Sequence, residues 1–186
     1  MSEILKRFLP LGITITLLCG LVYVLLQQNY RIAANDPQLQ FSTDIAESLN
    51  QGNPPEVVIP ATNVDMQKSL AVFIMVFNKE GKVVLSTGQL AGKIPEIPKG
   101  VFDFTAKNGQ DKITWQPQKG VRAAIVVVPY KEGYVLVGRS LREIEKRINM
   151  LGFEVFLGWV ITILAAFFAK VFLMEKAFKV SRRKLI

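Results

Sequence analysis

Residues 8–26 form a run of nineteen positions without a charge, which as a helix rising about 1.5 Å per residue spans roughly 28 Å, close to the thickness of a bilayer core. Residues 151–169 repeat that length, with Glu154 near one end, Trp159 inside and Lys170 closing the run. The pattern predicts two membrane helices, at 8–26 and 151–169, around a separate domain at 27–150. That domain opens with helical spacing. Phe41, Ile45 and Leu49 recur every fourth residue within a stalk helix over 27–50, Gly52 stands as its stop, and Asn35-Asp36-Pro37 marks a restart or kink. Gly52-Asn53-Pro54-Pro55 is a breaker, Val57-Val58-Ile59-Pro60 follows it, and a short helix is predicted around residues 65–70.

From residue 71 the pattern changes to β-branched and aromatic runs. Residues 72–77, a turn at Asn78-Lys79-Glu80-Gly81 and residues 82–86 predict a hairpin. A connector through Gly88, Gly92, Pro95, Pro98 and Gly100 leads to further strands at 102–104, 112–115, 121–128 and 134–137. Asn108-Gly109, Gln118-Lys119-Gly120 and Lys131-Glu132-Gly133 separate them as tight turns. The fold class that follows is α+β, with about five antiparallel strands behind the long N-terminal stalk helix. Ser140-Leu141-Arg142-Glu143 has the form of a capping box at the start of a new helix. Leu141, Ile144, Ile148 and Leu151 then form a heptad-like stripe running into the second apolar segment, which makes them the candidate signal-coupling residues. Two arrangements are open for this stripe: packing on the stalk helix of the same chain, or pairing across a homodimer. Inside the apolar segments Gly12, Thr16 and Gly20, and likewise Gly158, Thr162 and Ala166, recur at the four-residue spacing that lets helices approach closely.

Composition narrows what such a chain does. The 186 residues carry 23 basic and 15 acidic side chains, a formal net charge of +8, one cysteine and no histidine, and 50% are hydrophobic. Without histidine there is no Ser-His-Asp or Cys-His catalysis, no His-ligated metal and no phospho-accepting histidine. Residues 27–150 hold 15 basic and 12 acidic groups, a net of +3, so five of the eight excess charges lie at the two ends. Lys6 and Arg7 precede the first apolar run, and Lys170, Lys176, Lys179, Arg182, Arg183 and Lys184 follow the second. The positive-inside rule then puts the N-tail (residues 1–7) and the basic tail (170–186) in the cytoplasm, and 27–150 outside the cell (inner) membrane. The charge is thus expected to reflect topology and contact with the lipid bilayer. No basic face with interleaved aromatics points to nucleic acid.

Lys6 and Arg7 also resemble the charged start of a signal peptide, but the apolar run exceeds the usual length and Ile32-x-Ala34 lies too far beyond it to serve as a cleavage site. An uncleaved anchor fits better. Leu18 before Cys19 is bulky where a lipoprotein signal carries a small residue. No P-loop, G-x-S-x-G, H-E-x-x-H or C-x-x-C occurs, nor carboxylates at metal spacing. Ser69, Ser86 and several lysines outside the apolar runs leave a Ser/Lys dyad without a spacing that selects a pair, and Glu154 at the outer edge of the second run has two readings, a functional charge within the membrane or a side chain near enough to the interface to reach water. The expectation is a protein that is not an enzyme and needs no metal or cofactor.

The order of these elements resembles the extracytoplasmic sensing module of bacterial two-component sensor histidine kinases, of the PAS-like type called Cache or PDC. The stretches that carry the likeness are Gln28-Asn29-Tyr30-Arg31 with Ala34-Asn35-Asp36-Pro37-Gln38, Gly81 with Val83 and Ser86-Thr87-Gly88, Thr114-Trp115-Gln116-Pro117 with Gly120-Val121-Arg122, and Val137-Gly138-Arg139-Ser140-Leu141-Arg142-Glu143. It covers roughly residues 1–172. In that family a linker or dimerisation helix and an ATP-binding kinase domain follow, whereas here about sixteen residues follow Lys170 and no histidine exists, so the expectation is a sensor and anchor without the kinase.

The resemblance implies a small molecule held between the sheet and its connecting loops. Trp115 and Arg122 are the candidate ligand-binding residues, with Asp103, Tyr130 and Tyr134 behind them. A strand tryptophan is also common core, and a strand arginine also pairs with a carboxylate such as Asp111. The expected function is a membrane-anchored sensor that binds a small solute and signals through its second membrane helix to a separate kinase or other membrane protein. Two alternatives stand beside it: a structural or interaction subunit that uses the same fold as a docking surface without ligand, and the remnant of a disrupted kinase.

Overall fold

The structure, a computed structural model, describes residues 3–183, with side chains for residue 6 and residues 8–173; Arg7, Lys176, Lys179, Arg182, Arg183 and Lys184 lie outside the described side chains. The first apolar run lies in α1 (Glu3–Ala33). Thr14 and Thr16 donate their hydroxyls to the carbonyls of Pro10 and Gly12 one turn back, so these polar groups are satisfied within the helix. The helix breaks at Ala34 and Asn35 and restarts as α2 (Asp36–Asn50). Asn35 does not cap the new helix with its side chain; Nδ2 donates back to the Arg31 carbonyl at 3.3 Å instead. Pro37 lies in the first turn of α2 and has no N–H to bond the carbonyl four residues back, at Ala33, so the ladder of α1 cannot continue through it. α2 ends beside Gly52, whose φ of +92° is the left-handed stop that glycine supplies.

A short α3 (Pro55–Val58) and β1 (Val64–Asp65) follow. The helix predicted around residues 65–70 is absent. Asp65 instead gathers a turn, its Oδ1 accepting the Gln67 N–H at 2.9 Å and its carbonyl accepting those of Lys68 and Ser69 at 3.1 and 2.7 Å. An aspartate able to satisfy nearby amides locally competes with the helical ladder. The hairpin is present as β2 (Phe73–Asn78) and β3 (Val83–Ser86), and β4 (Gly88–Gln89) pairs in parallel with β1.

The strand predicted at 102–104 is instead part of a helix, α4 (Lys99–Asn108). Its buried residues are Val101, Phe102 and Thr105, a helical set, while Phe104 is exposed. Thr105 enters the core because its hydroxyl donates to the Val101 carbonyl at 2.8 Å, and Gly109 ends the helix at φ +77°. β5 (Asp111–Gln118), β6 (Val121–Tyr130) and β7 (Gly133–Ser140) complete the strands, and α5 (Arg142–Arg183) closes the chain. The Ser140 hydroxyl accepts the Arg142 N–H at 3.4 Å, but α5 begins one residue later than the Ser140 box requires.

The five-stranded antiparallel sheet has the order β3-β2-β7-β6-β5, so the chain is α+β. Both faces are covered, which is why β2, β6 and β7 read as nearly unbroken apolar runs. One face packs Phe73, Met75, Phe77, Ile125, Val127 and Leu136 beneath Val101 and Phe102 of α4. The other packs Ile74, Val76, Val126, Val135 and Val137 beneath Ile45, Ala46 and Leu49 of α2. The end of α2 is tied to the β6–β7 turn, where Asn50 Oδ1 accepts the Lys131 N–H at 2.8 Å and the Asn50 carbonyl accepts Lys131 Nζ at 3.0 Å. β5 is an edge strand. Its pairing with β6 shifts register between Trp115 and Gln118, where Pro117 has no N–H for the ladder.

The chain divides into two units, one of residues 30–146, which holds the sheet, and one made of the residues up to 29 and from 147 on. The second contains the two apolar segments, each long and apolar enough to cross a membrane. Within it the Trp159 indole N–H donates to Thr16 Oγ1 at 2.9 Å, and the rings of Phe8 and Phe167 meet edge to face at 5.6 Å. Of the small-residue stripes, Thr16 is thus in contact with α5. Gly20 and Gly158 face open space, with nothing within 4 Å of a methyl built on either.

Candidate functional site

The residues expected to hold a ligand fall into separate places. Trp115 lies on β5 opposite Ala123, 6% exposed, and is part of the core on the α4 face. The small Ala123 leaves room for the indole beside it. Tyr134 on β7 borders the same cluster, its ring 5.1 Å from that of Phe102. Met66 belongs to the same cluster, so Trp115 and Tyr134 are packed with it and with Phe102 on the α4 side of the sheet. Asp103 lies on α4 and is exposed, between the buried Phe102 and Thr105.

Arg122 is on the other face. Its neighbours Val121 and Ala123 point into the α4 side of the core, so the alternation of the strand turns Arg122 the opposite way. There it pairs with Glu145 in the first turns of α5, not with Asp111. Tyr130 borders the α2 face at the far end of β6 from Arg122. Burial, with the Glu132 carboxylate adding to it, pushes the Tyr130 hydroxyl above the ordinary phenol range.

Of the coupling stripe, Leu141 is buried with Ala34 and Ala124, and Ile144 packs against that group. Its first half therefore packs within one chain, on the turn that ends α1 and on β6. Ile148 is buried and Leu151 half-buried, both in the unit with the apolar segments.

Around the Arg122–Glu145 pair lies a feature that the sequence reading did not identify. The Leu141 N–H donates to the Arg122 carbonyl at 2.8 Å. Arg142 reaches the carbonyls of Gln67 and Lys68 at 3.2 and 3.1 Å. These contacts tie the first turns of α5 to the start of β6 and to the Asp65 turn, and between them is a cleft of about 50 Å³ bordered by Gln67, Arg122, Ser140, Arg142 and Glu145, with Met66 and Val121 of the α4-side core as its apolar wall. The available signal was the Arg142-x-x-Glu145 spacing directly after the last strand. A larger groove of about 270 Å³ runs between the segment after α3 and β3, lined by Ile59, Pro60, Asn63 and Leu85 among others.

Asp111, at the start of the edge strand, is held by burial above the ordinary carboxylate range, against the opposing pull of the Lys112 backbone N–H. The folded chain therefore binds this proton more tightly than the unfolded chain. Stability falls as pH rises from the unfolded value through the folded one, and the penalty is constant above that window. Asp111→Asn is expected to raise the melting temperature slightly at neutral pH and to leave it unchanged well below the window, which thermal unfolding at two pH values checks. Against family models, curated proteins and solved structures, the chain shows no match.

Proposed function

We propose that this chain is a membrane-anchored sensor whose outer domain binds a small solute and passes a change through α5 to a separate cytoplasmic or membrane partner. In this reading both apolar helices cross the cell membrane, both termini are cytoplasmic, and the sheet domain lies outside, a PAS-like module in the sense of the resemblance. The observation that carries it is the attachment of α5. Only Leu141 separates β7 from α5, which is a single helix over Arg142–Arg183. Its first turns are held by the Arg122–Glu145 pair, the Arg142 contacts and the Leu141 cluster. A rearrangement at that end of the sheet must move the helix or break those contacts. A ligand produces this only by binding one arrangement better than another, typically by about 1–3 kcal/mol of differential free energy.

A second reading, an interaction subunit without a solute, is favoured by Trp115, which fills the core instead of lining an open pocket. Val83 and Val84 on the edge strand β3 are exposed and offer it a surface. Thermal unfolding of the full chain in lipid nanodiscs, against small carboxylates, amino acids, amines and inorganic ions, separates the two. The sensor predicts a saturable rise in midpoint with at least one solute, about 2.7 kcal/mol of added stability at a hundredfold excess over Kd. No rise across the panel, together with crosslinking of β3 to a partner in native membranes, would favour the subunit.

A further inference from the structure

We propose that the cleft at the root of α5 binds a small carboxylate, and that this anion competes with Glu145 for Arg122. The inference rests on the sensor reading and names the class of its solute. The cleft is polar and brings two guanidinium groups, the Ser140 hydroxyl and one carboxylate together. Its charges sum to one unit positive, which a single monoanion neutralises. At about 50 Å³ it has room for roughly three or four water-sized groups, the size of a carboxylate with its first carbon.

The donors for such an anion are present. Each guanidinium carries five N–H groups. The contacts within the fold use one on Arg122 and two on Arg142. Arg142 gives its two to backbone carbonyls, and among the described residues no carboxylate lies within ion-pair distance of it. Backbone carbonyls hold the side chain in place without cancelling its charge. Ser140 uses its oxygen to accept the Arg142 N–H, which leaves the hydroxyl hydrogen to donate. Planar forks of N–H donors match the two oxygens of a carboxylate, the strongest pairing open to arginine.

Arg122 and Glu145 are each about two-fifths exposed, so the pair is open to exchange with a solute. When an incoming carboxylate takes Arg122, Glu145 is released, and with it one of the contacts that fasten the first turns of α5 to β6. The ligand and the helix thus share one partner, which couples occupancy of the cleft to the seating of the helix.

The test uses the full chain in lipid nanodiscs at constant ionic strength. Acetate is the probe and acetamide its neutral counterpart of nearly the same shape. Acetate is expected to raise the melting temperature saturably and acetamide to leave it unchanged. Arg122→Gln should weaken acetate binding at least tenfold, and Glu145→Gln, which removes the competitor, should strengthen it about tenfold. Both variants break the same ion pair, so a merely structural role predicts a change in the same direction for both, whereas competition predicts opposite changes. Equal responses to acetate and acetamide, or acetate affinity unaltered by either substitution, would overturn the site. If other solutes stabilise the chain and acetate does not, the cleft assignment fails and the sensor reading survives. If no solute does, both fail together.

Discussion

Replacing Gly138 by alanine is expected to lower the melting temperature of the sheet domain by on the order of 5–10 °C. Gly138 stands opposite Phe73 in the β2–β7 register, and the 1%-exposed Phe73 ring lies over its α-carbon. A methyl built at this position comes within 2.6 Å of Phe73 Cε2 and 2.8 Å of Ile125 Cγ2, and closer still to Phe73 Cζ. Such separations force either the ring or the strand to move. On the other side a methyl on Gly88 would meet Phe73 Cδ2 at 3.0 Å, so the ring has little room to retreat. Overpacking of this kind costs about 1–3 kcal/mol. Glycine is a poor strand residue, and its presence here makes sense only through the close approach of the aromatic ring. The double variant Gly138→Ala with Phe73→Leu should recover part of the loss, because the smaller side chain vacates the contested space. Strict additivity of the two changes, measured as a double-mutant cycle by thermal unfolding, would show that the ring and the glycine do not interact.

The same strand shows why some of the fold was legible in sequence and some was not. β2, β6 and β7 are covered on both sides, so their apolar runs and the glycine turns between them were readable without any partner. Asn35-Asp36-Pro37 was readable too, since proline acts on its own backbone. α4 was not, because Phe102 and Phe104 satisfy a two-residue period, while the helical set contains Thr105, a polar residue buried by a hydrogen bond to its own helix. The turn at Asp65 was hidden for the same reason, a local side-chain bond that outcompetes the ladder.

The candidate site follows a similar division. Arg122 entered through the resemblance, with Asp111 as its nearest candidate carboxylate, but its partner lies 23 residues away on α5, a distance that no local pattern encodes. Trp115 and Arg122 are near each other in sequence across one hairpin, yet strand parity sends them to opposite faces. Trp115 is paired with Ala123, and the residue beside Ala123 necessarily points away from the indole. The register shift between Trp115 and Gln118, which decides that pairing, depends on how Pro117 is accommodated at the sheet edge.

The consequence for function is sharpest at Trp115. At 6% exposure and packed among the α4-side core residues, its replacement by alanine is expected to cost about 3–5 kcal/mol, a large share of the 5–15 kcal/mol that holds a typical domain together. The full chain should then unfold at a much lower temperature or fail to accumulate, which by itself does not separate a scaffold residue from a ligand wall. Trp115→Phe does. Phenylalanine keeps most of the apolar volume, so the domain should remain folded with a modest loss of midpoint. Trp115 does not border the cleft at the root of α5, and Arg122 points to the face opposite the indole, so a solute held there by Arg122 should keep its wild-type affinity in this variant. Titration of acetate against Trp115→Phe is expected to reproduce the wild-type Kd within about twofold, while Arg122→Gln moves it by tenfold or more. A tenfold loss of affinity in Trp115→Phe with the fold intact would return the ligand to the α4 side of the sheet and make the tryptophan part of its wall.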